Sequence, residues 1–145
     1  VTADVLRAIE ANTSRLICCN IAAPDMVGHL LPSRYEEAKE AYRAAADALA
    51  ELAEAAQKAN WHLVITADHG NIEDDTSAHS VNDVLTTIVQ PGNAKARPAL
   101  AVFQARLFDI APTLLDLLGA SPPSRDQRNP PLADHFVGRP LVAPK

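Results

Sequence analysis

Trp61-His62-Leu63-Val64-Ile65-Thr66 is an apolar run, and Ala67-Asp68-His69-Gly70-Asn71 follows it directly. The run reads as a buried strand. Gly70 lets the chain turn tightly enough to aim two neighbouring polar side chains at one point. In open α/β sheets, ligands bind beyond the carboxyl ends of the strands. Asp68 and His69 therefore stand where chemistry is expected.

Working outward, residues 15–21 (RLICCNI) form a second apolar run, bounded by Asn12-Thr13-Ser14 and Pro24, and read as another buried strand. Before it, Val5, Leu6 and Ile9 share one face of a helix over 3–11, with Thr2 as N-cap. Between the two runs, Ser33 precedes Glu36 at capping-box spacing and opens a long Ala-rich helix reaching about residue 59. Tyr35, Tyr42, Leu49, Leu52 and several alanines form its expected inner stripe. Its charges, with Glu54 and Lys58 as an i,i+4 pair, form a solvated face.

Downstream, 84–89 reads as a third strand stopped by Pro91-Gly92, and 99–103 as a short fourth. Asp109 caps a helix that accepts Pro112 early and stops at Gly119. Residues 121–131 hold four prolines and read as an irregular excursion, and 136–141 as a short extended piece that docks back. Helices alternating with apolar strands indicate an α/β fold, a largely parallel sheet flanked by helices.

Composition narrows the function. The chain has 145 residues, 48% hydrophobic and 21% charged, as in globular proteins, and no apolar run long enough for a membrane span. A net charge of -5 disfavours nucleic acid and anionic membranes as partners, but not a small anionic substrate. The start, Val1-Thr2-Ala3-Asp4, has neither a basic stretch nor an apolar one, so no signal peptide is expected there, and its lack of Met leads to the expectation of a chain that begins inside a longer one. Cys18 and Cys19 are adjacent, point to opposite faces of a strand and are expected to be buried free thiols.

Two further segments carry metal-ligand residue types. In Pro24-Asp25-Met26-Val27-Gly28-His29, Pro24 suits the first turn of a short helix, which places Asp25 and His29 on one face. Ala78-His79-Ser80 adds an imidazole after the loop acids Glu73, Asp74 and Asp75, which read as solvated charges. His62 and His135 have no comparable setting. The set Asp25, His29, Asp68, His69 and His79 exceeds what one cation usually takes and suits two neighbouring divalent ions. Mixed carboxylate and imidazole ligands favour manganese or zinc over calcium, and phosphoryl chemistry is the leading class.

Residues 20–29 (NIAAPDMVGH) resemble a segment of the cofactor-independent phosphoglycerate mutases, as do 66–71 (TADHGN), 109–119 (DIAPTLLDLLG) and 137–141 (VGRPL). The order and spacing cover most of the chain, and the wider superfamily is that of alkaline phosphatase. The resemblance implies an alkaline-phosphatase-like fold. It also implies cytoplasmic, glycolytic interconversion of 3-phosphoglycerate and 2-phosphoglycerate through a phosphoserine, supported by two manganese or magnesium ions.

It assigns Asp25, His29 and His79 to one metal, and Asp68 and His69 to the other. The family also uses an aspartate from an early strand and a nucleophilic serine. Ser14, Ser33, Ser77, Ser80, Ser121 and Ser124 lack that serine's context. Residues 1–145 are thus expected to be the C-terminal metal-binding half of a split phosphatase-type domain, inactive alone and completed by an N-terminal part. Departures are Leu30-Leu31 for the family's Thr-Gly, Asn82-Asp83-Val84-Leu85 for its N-P-V-P, and an irregular insertion at 121–136. The alternatives are another phosphotransferase or hydrolase of the superfamily, or a diverged non-catalytic metal-binding module.

Overall fold

A computed structural model describes residues 1–73, 77–93, 105–120 and 141. Two compact units divide the chain, Val1–Ala94 and Lys95–Lys145.

The first unit opens with helix α1 (Thr2–Ala11), which buries Val5 and Ile9 and ends on Asn12 in the left-handed conformation. The short helix α2 (Ala23–Gly28) carries proline in its first turn. Helix α3 (Tyr35–Lys58) supports both, and α2 packs most extensively against it. Val5, Ile9 and Leu52 form the core, joined by Leu6, Ile17, Ala55, Trp61 and Leu63. So few large apolar residues make each one matter, since full burial of a leucine contributes about 1.5–3 kcal/mol.

Two expectations about α3 change. Ser33 does not cap it; its hydroxyl donates back to the Leu30 carbonyl, and Arg34 is the N-cap residue. The buried stripe is Ala38, Leu52 and Ala56, while Tyr35 and Tyr42 are exposed. Two alanines flank the one large side chain, Leu52, on the buried face of α3. Lys58 and Glu54 do pair, at 2.6 Å on the exposed face.

The sheet also departs from expectation. Strand β1 (Leu63–Ile65) pairs antiparallel with β2 (Thr87–Val89), Val64 opposite Ile88, and this is the one sheet among the described residues. A parallel pair needs a crossover, usually helical. No helix is described between β1 and β2, and the chain returns through a loop. The Thr66 and Thr86 hydroxyls, 2.9 Å apart, extend the contact, and a Gly70–Ser80 bridge pinches the loop further out. At the other end, Trp61 N donates to Ala56 O and Gly92 N to Gln57 O, which ties both strands to the end of α3. A Cβ on Gly92 would meet Gln57 O at 2.8 Å, so glycine permits that approach.

Residues 15–21 form no strand, and Cys18 and Cys19 are exposed free thiols instead of buried ones. No neighbouring strand lies beside them among the described residues, and Ile17 is the residue of the run that packs against the core.

In the second unit, a 3-10 turn (Leu107–Asp109) leads into helix α4 (Ile110–Leu117), and Gly119 follows with a positive φ of 65°. The Asp109 carboxylate accepts from Arg106 N, and the buried Thr113 hydroxyl donates to Asp109 O and accepts from Leu141 N. The expected strand at 99–103, the insertion at 121–136 and His135 lie outside the described residues. Among the described residues, no helix is long and apolar enough to cross a membrane.

Candidate metal centre

Helix α2 and the loop between β1 and β2 bring four of the five expected ligands together. Asp25 lies in the first turn of α2 and His29 is its C-cap residue, four positions on, so both side chains share a face. Asp25 Oδ1 stands 3.4 Å from His29 Nε2 and 3.3 Å from His79 Nε2, and the two Nε2 atoms are 3.1 Å apart. The His69 ring stacks on the His79 ring at 3.5 Å between centroids. Asp25, His69 and His79 each offer a donor atom, all within 4.8 Å of one another.

Asp68 stands apart. Its carboxylate lies 3.6 Å from His69 Nε2, and its side chain is 84% exposed.

The imidazoles are oriented from behind. His29 Nδ1 lies 2.8 Å from Ser77 O, and His69 Nδ1 3.2 Å from Gly70 O. A carbonyl only accepts, so each Nδ1 is the donor, and in the neutral form of either ring Nε2 is the atom left with a lone pair. Asn71 serves Asp25 in the same way. Its Nδ2 donates to Asp25 Oδ1 at 2.6 Å, and that hydrogen bond, aided by the nearby histidines, holds the carboxyl below its usual range.

This donor set fits a divalent cation. Asp25 Oδ1, His29 Nε2 and His79 Nε2 stand at the corners of a triangle with edges of 3.1–3.4 Å. Around a metal with bonds of about 2.0–2.2 Å, adjacent tetrahedral ligands lie about 3.3–3.6 Å apart and octahedral ones about 2.8–3.1 Å.

Sequence reasoning missed two supporting residues. Asn71 is buried, and the tight packing of α2 against its loop depends on Gly28. A Cβ there would stand 2.6 Å from Asn71 Cγ and 2.8 Å from Ile72 Cγ2. Glu73, expected to be a solvated charge, instead accepts from the Ser80 hydroxyl, from Asn71 N at 2.8 Å and from Asn82 Nδ2 at 3.2 Å. These bonds, the Ser80 one foremost, lower its carboxyl to about 2. The signal available was the position of Asn71 and Glu73 just after the Asp-His-Gly turn.

Comparison with known proteins agrees with a metal-binding reading. A 2,3-bisphosphoglycerate-independent phosphoglycerate mutase of Caenorhabditis elegans is 37% identical over 131 residues, covering 86% of this chain and 24% of the relative. One from Wolbachia pipientis wMel is 38% identical over 133 residues, again covering 86% of this chain and 24% of the relative. A Methanosarcina acetivorans protein named 2,3-bisphosphoglycerate-independent phosphoglycerate mutase 2 is 37% identical, covering 85% and 24% respectively. The chain thus spans 24% of the length of these relatives. The Metalloenzyme superfamily matches residues 1–122. With that match running through the ligand segments and most of its length, the chain belongs to the Metalloenzyme superfamily.

Proposed function

We propose that this chain is the metal-binding segment of a cofactor-independent phosphoglycerate mutase, which interconverts 3-phosphoglycerate and 2-phosphoglycerate. The convergence of Asp25, His29 and His79 in a chain 37% identical to such a mutase carries the reading. In this reading Asp25, His29 and His79 hold one divalent cation, and Asp68 and His69 hold part of a second site. Manganese fits best, with magnesium or zinc as alternatives. When bound, the two cations polarise phosphoryl oxygens and activate a nucleophilic hydroxyl.

The chain's own residues prepare that centre. Asn71 keeps the Asp25 carboxylate ionised and acceptor-only. The Ser77 and Gly70 carbonyls keep His29 and His69 in the tautomer that leaves Nε2 unprotonated. Ser80 lies beside the cluster but donates its hydroxyl to Glu73, so it is poorly placed to act as nucleophile. The remaining part of the enzyme supplies the serine. It takes the phosphoryl group from one glycerate hydroxyl and returns it to the other, with no net gain or loss of phosphate. That part also supplies strands beside β1, which pairs only with β2 among the described residues, and so completes the largely parallel sheet. A cytoplasmic, glycolytic setting belongs to the same reading.

The test replaces the matched quarter of the C. elegans mutase with this chain. Phosphorus NMR then follows 3-phosphoglycerate with manganese present. Interconversion is expected from the chimera and none from the chain alone. Turnover by the chain alone would overturn the claim that the serine lies elsewhere. A folded, manganese-loaded chimera that releases inorganic phosphate without isomerising would favour a hydrolase.

A further inference from the structure

Glu73 is not among the candidate ligands, yet it bonds to residues on both sides of the loop that carries His69 and His79. Its two carboxylate oxygens face opposite sides of the loop. Oε2 accepts from the backbone of Asn71, and Oε1 accepts from the side chains of Ser80 and Asn82. Asn71 is two residues beyond His69, and Ser80 directly follows His79. The Gly70–Ser80 bridge, with Ser80 N donating to Gly70 O at 2.9 Å, lies inside the same closure. Asn71 in turn reaches Asp25 on α2 through its side-chain amide. One carboxylate therefore connects the backbone of Asn71, which orients Asp25 and lies two residues beyond His69, with the side chain of Ser80, which directly follows His79.

We propose that Glu73 is a positioning residue of the metal centre: it buckles the loop so that His69 and His79 stack and Asn71 stays against Asp25. The role requires an acceptor at both ends. Every partner of Glu73 is a donor, so an ionised carboxylate satisfies all three, and its pKa of about 2 reflects the same bonds. Glutamine has the same shape but one acceptor oxygen; its amide nitrogen must face a donor on one side. Residues that orient metal ligands from behind typically alter metal affinity by about 10–100-fold when replaced.

The metal aspect of this inference rests on the function proposed above, and the test separates the two. In the metal-free chain, NMR reads contacts between the His69 and His79 rings; calorimetry reads manganese affinity; far-UV circular dichroism checks the fold. Glu73→Gln is expected to lose the ring contacts and to bind manganese about tenfold or more weakly. Ser80→Ala leaves the Glu73 charge in place and is expected to shift both readouts the same way by less. If Glu73→Gln weakens binding while Ser80→Ala binds as the unaltered chain does, charge alone explains the effect and the positioning role is overturned. It is overturned equally if Glu73→Gln keeps both the contacts and the affinity. If the unaltered chain binds no manganese while Glu73→Gln still breaks the ring contacts, the metal reading falls and the positioning of the histidines stands.

Discussion

Residues 15–29 and 61–71 follow one plan, an apolar run leading to an aspartate and a histidine, and they reach it by different means. In the later segment the run becomes β1, because β2 lies antiparallel to it and α3 holds both strands at their far ends. In the earlier segment the run has no regular secondary structure and is largely exposed. Its ligand pair is nevertheless in place, because α2 closes its own hydrogen bonds and needs only α3 to rest on. A strand depends on a partner far away in the chain, whereas a helical turn is satisfied locally. The segment with the better strand also has the less complete ligand pair: His69 joins the cluster and Asp68 does not.

The largest expected effect breaks that comparison at the ligands. Asp25 is 3.3–3.4 Å from two imidazole nitrogens, and Asp68 meets one histidine at 3.6 Å from an exposed position. Asp25→Ala should weaken manganese binding by about 100-fold or more, beyond what loss of a supporting residue does. Asp68→Ala should weaken it by about tenfold or less. Calorimetric titration of both variants checks this. Equal losses would mean that the two segments contribute equally to the first cation.

The next effect tests what both segments lean on. Leu52 is 1% exposed and forms the core with Val5 and Ile9, and Ile17 of the earlier run and Leu63 of β1 both pack against that core. Leu52→Ala should cost about 3 kcal/mol of unfolding free energy, within the usual range for a buried leucine. Urea titration followed by the fluorescence of Trp61, the one tryptophan, measures it. A cost below about 1 kcal/mol would show that the core is not the shared support.

Much of this was legible because it is local. Pro24 at a helix start and the four-residue spacing of Asp25 and His29 depend on near neighbours, whereas the turn expected to aim Asp68 and His69 at one point is a bend that brings only His69 into the cluster. The helix over α1 and the stop at Gly119 were legible for the same reason. What failed to show was set by distant contacts. An apolar run such as 15–21 has strand character but cannot reveal whether a second strand lies beside it. The exposed faces of Tyr35 and Tyr42 follow from which side of α3 the neighbouring helices approach, and an Ala-rich helix has several sides that could be buried. Glu73 resembled its acidic neighbours in composition. Its role comes from Ser80 and Asn82, which return across the loop to it, and from the backbone of Asn71.

The smallest effect concerns the earlier run itself and needs no change to the fold. Cys18 and Cys19 are exposed and unbridged, whereas alternate residues of a strand buried on both faces would be shielded. Both thiols of the native chain should therefore react with a thiol reagent at rates close to those in urea, within about tenfold, since access also governs thiol reactivity. Mass spectrometry of the labelled chain counts the modified cysteines. The same labelling of the mutase chimera sharpens the contrast. If the additional strands pair with residues 15–21 there, both cysteines should become protected, and the two segments would differ only in where their sheet partner comes from. If the cysteines remain reactive in a chimera that turns over substrate, the earlier segment supplies Asp25 and His29 without ever becoming a strand.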